Sequence, residues 1–130
     1  MAKFPRLSVL LLIVILAFIL RFYRVTEVPP SLNWDEASIG YNAYSIIKTG
    51  KDEWGEFLPL AFRSVGDYKP PVGVYLTVPS IALFGLNEFG VRFPFALLGS
   101  LSAIVFIFLL RELRVSWPGS LFGGLWMAVV

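Results

Sequence analysis

The chain has 130 residues, 57% of them hydrophobic, 16% aromatic and 15% charged, with a mean hydropathy of +0.74. That balance belongs to membrane proteins and excludes an ordinary soluble domain. Cysteine and histidine are both absent. Disulfides, thiol chemistry, the commonest metal ligand and the commonest general base are thereby removed, so acid–base work falls to carboxylates, Lys, Tyr or Arg. The net charge of +2 is not gathered into a basic stripe with interleaved aromatics, so nucleic acid is not a partner the sequence supports.

Residues 7–20, "LSVLLLIVILAFIL", are almost unbroken apolar sequence, preceded by Lys3 and Arg6 and followed by Arg21 and Arg24. No small-residue cleavage pattern follows, which predicts an uncleaved first span over about residues 5–25 rather than a signal peptide. Such a span needs Arg21 and Arg24 to snorkel toward the interface. Residues 91–111 are long enough to form a second span and close on Arg111 and Arg114. Residues 119–130 begin a third apolar run that the chain end cuts off, so the sequence reads as the N-terminal fragment of a larger protein. The apolar segment 72–86 is short for a crossing and carries Thr77, Pro79 and Ser80. Placed in the interface rather than across it, it leaves Lys3, Arg6, Arg111 and Arg114 all on the cytoplasmic side, as the positive-inside rule prefers.

The expected fold is therefore an all-α integral membrane protein: a first span, an extracytoplasmic loop over 26–90 with two amphipathic juxtamembrane helices, a second span and the start of a third. The loop contains eight acids, Glu27, Asp35, Glu36, Asp52, Glu53, Glu56, Asp67 and Glu88, against Lys48, Lys51, Arg63 and Lys69. Its acidity beside positive cytoplasmic ends fits the same topology and places function in the loop.

"VPPSLNW" (28–34) reads as extended or turning chain. After it, Ile39, Ala43, Ile46 and Ile47 recur at helical spacing and Gly50 is a good stop, predicting an amphipathic surface helix over 35–48. Asp35 and Glu36 open it. Their plain explanation is helix initiation: Asn33 as N-cap with Glu36 completing a capping box, and two acids complementing the macrodipole. The alternative is a carboxylate held at the membrane surface as general base toward a hydroxyl or amine. In "GDYKPPVGVYL" (66–76) Pro71 suits a first helical turn, predicting a helix over 71–85. Lys69 then stands before a helix N-terminus, where it is unfavourable unless an anion joins it. It is either a phosphate ligand together with backbone N–H groups or a lysine touching anionic headgroups. Tyr68 and Tyr75 read as interfacial aromatics. Residues 48–67 form an ordered connector whose Asp52, Glu53 and Glu56 read as solvated surface rather than a metal cluster. No cofactor is evident, and nothing in the sequence demands a divalent metal or excludes one.

Together, "WDEASIGYNAYSIIKTG", "DYKPP" and "LFGLNEFGVRFPFALLGSLSAIVFIFLLREL" resemble the N-terminal part of polyprenyl-phosphate-dependent glycosyltransferases of the GT-C superfamily, family 39 above all. Protein O-mannosyltransferases and lipid A aminoarabinose transferases are more distant kin. The resemblance covers roughly residues 20–114 and lies in the joint order and spacing of the motifs. It implies an integral membrane enzyme of the cell membrane that moves a sugar, with inversion, from a polyprenyl-phosphate donor to a lipid, glycan or protein acceptor on the extracytoplasmic side.

By resemblance, Asp35 is the catalytic base toward the acceptor and Glu36 supports it by orienting the acceptor or neighbouring side chains. Lys69 matches the lysine that contacts the lipid phosphate in aminoarabinose-type enzymes. O-mannosyltransferases carry histidine there, so this chain is nearer the lysine subgroup. Tyr41, Asn42 and Arg92 are further candidates for pocket or headgroup contacts. The expected partners are the lipid-linked donor, its acceptor and membrane lipids, and the 130 residues alone are expected to be inactive. The competing reading is a non-enzymatic multi-span protein, a transporter or assembly-subunit fragment, in which Asp35 only starts a helix.

Overall fold

The computed structural model describes residues 6–64 and 66–130. Lys3 and Pro5, at the start of the expected first span, lie outside the described residues, as does the side chain of Arg6. Among the described residues are five helices: α1 (Arg6–Phe22), α2 (Trp34–Thr49), α3 (Pro71–Phe84), α4 (Glu88–Glu112) and α5 (Trp117–Val129). They match the predicted elements to within a few residues. One departure from the all-α expectation lies in the connector, where β1 (Phe62–Arg63) pairs antiparallel with β2 (Tyr68–Lys69). A ladder of two residues per strand has no periodicity for a sequence to display. A backbone bond from Ser64 N–H to Asp67 carbonyl, 2.9 Å, and Gly66 at φ 82° turn the chain between the strands.

Among the described residues, α4 is the one helix long and apolar enough to cross a membrane by length and composition. At 1.5 Å per residue its 25 residues extend roughly 37 Å, against about 30 Å of hydrocarbon. The 17 residues of α1 reach roughly 25 Å, short of the expected span over 5–25.

The chain divides into two compact units, one of residues 24–94 and one of the segment through Tyr23 with Phe95–Val130. The core of the latter gathers Ile13 and Ala17 of α1, Ala103 and Ile107 of α4 and Ala128 of α5. Three of the five are alanine, and the helices approach closely: a side chain at Gly124 would collide with Ile107, and Ser100 Oγ donates to the Ala17 carbonyl at 3.4 Å. The Arg21 guanidinium turns to α5 and donates to the carbonyls of Ala128 and Met127, each at 2.8 Å. Arg24 is exposed and paired with Glu27 at 2.7 Å.

In the unit of residues 24–94, α2 packs on α3 around Ala43, Phe62, Val74, Ile81 and Val91. The start of α2 follows the capping signature. Asn33 Oδ1 accepts from Glu36 N–H at 2.8 Å, and Asn33 N–H donates back to Glu36 Oε2 at 3.0 Å. Gly50, left-handed at φ 71°, ends it by donating its N–H to the Ile46 carbonyl. The Tyr75 ring meets Phe62 edge-on at 5.4 Å, and its hydroxyl donates to the Pro59 carbonyl at 3.0 Å.

The helix α3 is apolar on both faces. Val74 and Ile81 are buried beside Thr77 and Ser80, whose hydroxyls donate to the carbonyls of Gly73 (2.9 Å) and Gly90 (2.6 Å), while Val72, Leu76 and Leu83 are exposed. The amphipathic expectation fails for this helix because backbone carbonyls satisfy its two hydroxyls inside the unit, so no polar face is turned outward.

Gly40 is where α2 touches Val91. A Cβ built there would lie 2.6 Å from Val91 Cγ2. Valine is stiff at χ1, so the neighbour yields only with its backbone. Gly40→Val is expected to lower stability by about 1–3 kcal/mol, read as a fall in the thermal midpoint of the detergent-solubilised protein.

Candidate functional site

A cavity of about 660 Å³ opens between the start of α2, the connector and the β1–β2 hairpin. Asp35, Ser38 and Tyr41 line it from α2, Glu53 from the connector, and Asp67 and Lys69 from the hairpin. Asp35, Ser38 and Tyr41 share a face because they recur at three-residue steps along a helix. Asp67, in the bend just before β2, and Lys69, in β2, meet through their 2.7 Å ion pair. Two carboxylates, Asp35 and Asp67, thus flank one ammonium, and Glu53 lies elsewhere on the same wall.

That ammonium is the centre of the arrangement. Lys69 Nζ lies 2.6 Å from Asp35 Oδ1 and 2.7 Å from Asp67 Oδ2. The lysine side chain is 14% exposed, whereas those of Asp35 and Asp67 are 67% and 56% exposed. Bonding to Asp35 first, and to Asp67 second, raises the Lys69 pKa above its ordinary 10.5, so the amine stays charged throughout the physiological range. Immediately beyond, α3 begins at Pro71 with Pro70 as a cap that supplies no side-chain hydrogen bond.

Glu36 points away from this cavity. Its Oε1 accepts from Arg92 Nε at 2.9 Å, and its Oε2 accepts from Arg92 Nη2 at 3.1 Å and from Asn33 N–H at 3.0 Å. Arg92 is itself buried, and its remaining N–H groups donate to the carbonyls of Val25 (2.8 Å), Pro29 (3.0 Å) and Ser31 (2.8 Å). All five guanidinium donors are therefore spent inside the protein. Asn42 is likewise fully buried: its Nδ2 donates to the Ser38 carbonyl and to Glu53 Oε1, both at 3.0 Å, and its Oδ1 accepts from Glu53 N–H at 3.1 Å.

Of the six residues singled out in the sequence, Asp35, Lys69 and Tyr41 meet in the cavity. Glu36 and Arg92 pair behind it, and Asn42 supports it from beneath. Among the lining residues that were not singled out in the sequence are Asp67, Ser38 and Glu53. Asp67 had a usable signal, its i,i+2 spacing to Lys69. Ser38 had one too, three residues beyond Asp35 on a predicted helix. Glu53 had none, because the Asn42 that holds it is eleven residues away across a turn. Asp52, expected as solvated surface, is 4% exposed; its Oδ1 accepts from Trp54 N–H (2.9 Å) and Glu56 N–H (2.8 Å) to build that turn.

A family model described as dolichyl-phosphate-mannose-protein mannosyltransferase matches residues 11–129. The chain belongs to that family. No curated protein and no solved structure matches it. The mannosyltransferase family consists of membrane glycosyltransferases, which agrees with the resemblance read from the motifs and with the apolar α4. The cavity and its ion triad lie inside the segment that the mannosyltransferase model matches.

One pH effect follows from Glu36. Its hydrogen bonds from Arg92, joined by that from Asn33, outweigh burial and lower its pKa below the ordinary 4.5. A lowered carboxyl pKa contributes stability that is present above 4.5 and lost as pH falls through the lower folded value. Glu36→Gln should therefore weaken the protein by about 1.5–3 kcal/mol at neutral pH. Its thermal midpoint should also fall less than that of the wild type on acidification below pH 4.5. Parallel melting curves across pH check both.

Proposed function

We propose that the protein transfers a sugar from a polyprenyl-phosphate donor to an acceptor hydroxyl or amine at the extracytoplasmic face of the cell membrane, with inversion at the anomeric carbon. Family membership supports the class of reaction. The observation that carries the reading is the Lys69 ammonium, held by Asp35 and Asp67 in an open cavity at the foot of α3.

A polyprenyl phosphate brings its own anion to Lys69, joined by the N–H groups of the first turn of α3. Phosphate oxygens then replace Asp35 as the lysine's partner, and the carboxylate is released next to the sugar. An acceptor O–H or N–H gives its proton to Asp35 as its lone pair attacks the anomeric carbon. The bond from that carbon to the phosphate oxygen breaks, the electron pair leaves with the lipid phosphate, and Lys69 stabilises the charge where it develops. Base and leaving group on opposite sides of the sugar produce inversion, as in glycoside hydrolysis by direct displacement. Glu36 touches neither partner; it fixes the start of α2 through Arg92 and so holds Asp35 in place.

The topology is proposed together with the chemistry: α1 and α4 cross, α5 begins a third crossing, and α2 and α3 lie along the extracytoplasmic surface. Support comes from the acidity of the 26–90 loop and from the outward Val72, Leu76 and Leu83 stripe of α3, which suits contact with acyl chains. The test is donor choice. Membranes carrying the protein at full length should transfer mannose from dolichyl-phosphate mannose and not from a nucleotide sugar or free mannose. Equal transfer from the nucleotide sugar overturns the proposal, because nothing in the cavity would then depend on a lipid phosphate.

A further inference from the structure

Glu53 is a carboxylate that the reaction as derived leaves unused. It lines the same cavity as Asp35 and Lys69, on the connector rather than on either helix. Its placement is over-determined. On one side, Asp52 organises the turn: Oδ1 accepts from Trp54 and Glu56 N–H groups, and Asp52 N–H donates to the Glu56 carbonyl at 2.9 Å. Gly55 closes it at φ 89°. On the other side, fully buried Asn42 takes both the Glu53 backbone N–H and one carboxylate oxygen. A surface acid that only solvates a loop does not need a buried amide dedicated to aiming it.

Glu53 Oε1 is committed to Asn42, and Oε2 has no hydrogen-bond or ion-pair partner among the described residues. Nearby on the same cavity wall, Ser38 Oγ is buried and unpartnered. The buried Ser38 hydroxyl is an unmet hydrogen-bonding group, and Glu53 Oε2 beside it is open to the cavity, so one ligand can meet both. The missing partner must donate to a carboxylate and exchange a hydrogen bond with a serine. Metal ions suit this place poorly, because among the described residues no three acids cluster closely enough to hold one. Sugar hydroxyls supply both functions in one group.

On the reading of the cavity as the donor site, we propose that Glu53 binds hydroxyls of the glycosyl unit through Oε2, with Ser38 as the second contact, and so sets which sugar is transferred. Asn42 acts through Glu53 as a positioning residue. Asp35 and Lys69 act on the reacting bond, while Glu53 and Ser38 recognise the ring that bond belongs to.

The experiment compares dolichyl-phosphate mannose with its 2-, 3-, 4- and 6-monodeoxy analogues as donors. Membranes carry the full-length wild type, Glu53→Ala or Glu53→Gln at matched protein levels. Both variants should fold, because Asn42 keeps its bonds to the Ser38 carbonyl and the residue-53 backbone N–H, and matched melting curves check this. Wild type should lose about 10–100-fold in kcat/KM with at least one deoxy analogue, the range for a hydrogen bond to a charged group. Glu53→Ala should lose about as much with the parent donor, and its discrimination against that analogue should shrink to within a few-fold. Glu53→Gln, which keeps an acceptor oxygen, should lie between. Retention of the wild-type discrimination at every position by Glu53→Ala overturns the inference while leaving the donor site standing. Absence of any transfer by the wild type overturns the donor-site reading and this inference with it.

Discussion

Asp35→Asn should lower sugar transfer by about 10²–10⁴-fold, the share a positioned general base contributes, without unfolding the protein. The substitution removes the group that takes the acceptor proton while keeping its shape. Two observations separate this from a helix-start effect. The capping box of α2 is made by Asn33 and Glu36 and does not involve Asp35. The side chain of Asp35 is 67% exposed, and its ion pair with Lys69 is of the solvent-screened kind that contributes little to stability. The thermal midpoint of Asp35→Asn should accordingly stay close to that of the wild type, while Glu36→Gln shifts it. A variant that retains transfer, or that fails to fold, would return Asp35 to the role of a helix-initiating acid.

Arg92→Ala should be the most destabilising single change in the unit of residues 24–94, by about 3–5 kcal/mol. Removing the guanidinium strands the carbonyls of Val25, Pro29 and Ser31 and leaves the Glu36 carboxylate without its cation. The Glu36 side chain is 25% exposed, so water replaces only part of that loss. Against a total domain stability of about 5–15 kcal/mol this is a large fraction. Arg92→Lys should recover the charge but not the fork of five donors, and should fall between alanine and wild type. Thermal midpoints of the solubilised variants, with limited proteolysis of the 25–31 segment, measure it. An Arg92→Ala protein as stable as the wild type would mean that these hydrogen bonds are not holding the loop.

How far the sequence reveals the site depends on the range of each interaction. Both ends of α2 were legible because caps are local: Asn33 with Glu36 three residues on, and Gly50 where the apolar period stops. The start of α3 was legible from Pro71. Lys69 was identified beside a helix terminus, yet nothing local announced that Asp35, far earlier in the chain, would share its ammonium. Arg92 in "VRFPFALL" stood out as a charge at the head of an apolar run, and the sequence reading made it a pocket or headgroup contact. Five donors directed at one loop and one carboxylate are a tertiary fact that composition does not encode. Asp52 and Glu53 looked like a solvated pair for the same reason: an Asx turn and a buried amide eleven residues away gave them different environments. The missing polar face of α3 was hidden because burial of Thr77 and Ser80 depends on which carbonyls they find.

The central claim is a division of labour between Asp35 on the proton and Lys69 on the phosphate. The most direct measurement is kcat and donor KM for transfer from dolichyl-phosphate mannose, using the full-length wild type, Asp35→Asn and Lys69→Met in membranes at matched levels. The account predicts that Asp35→Asn loses kcat with donor KM little changed, and that Lys69→Met raises donor KM at least tenfold and also lowers kcat. If both variants keep wild-type kcat and KM, the triad is a structural ion cluster and the reaction is carried elsewhere.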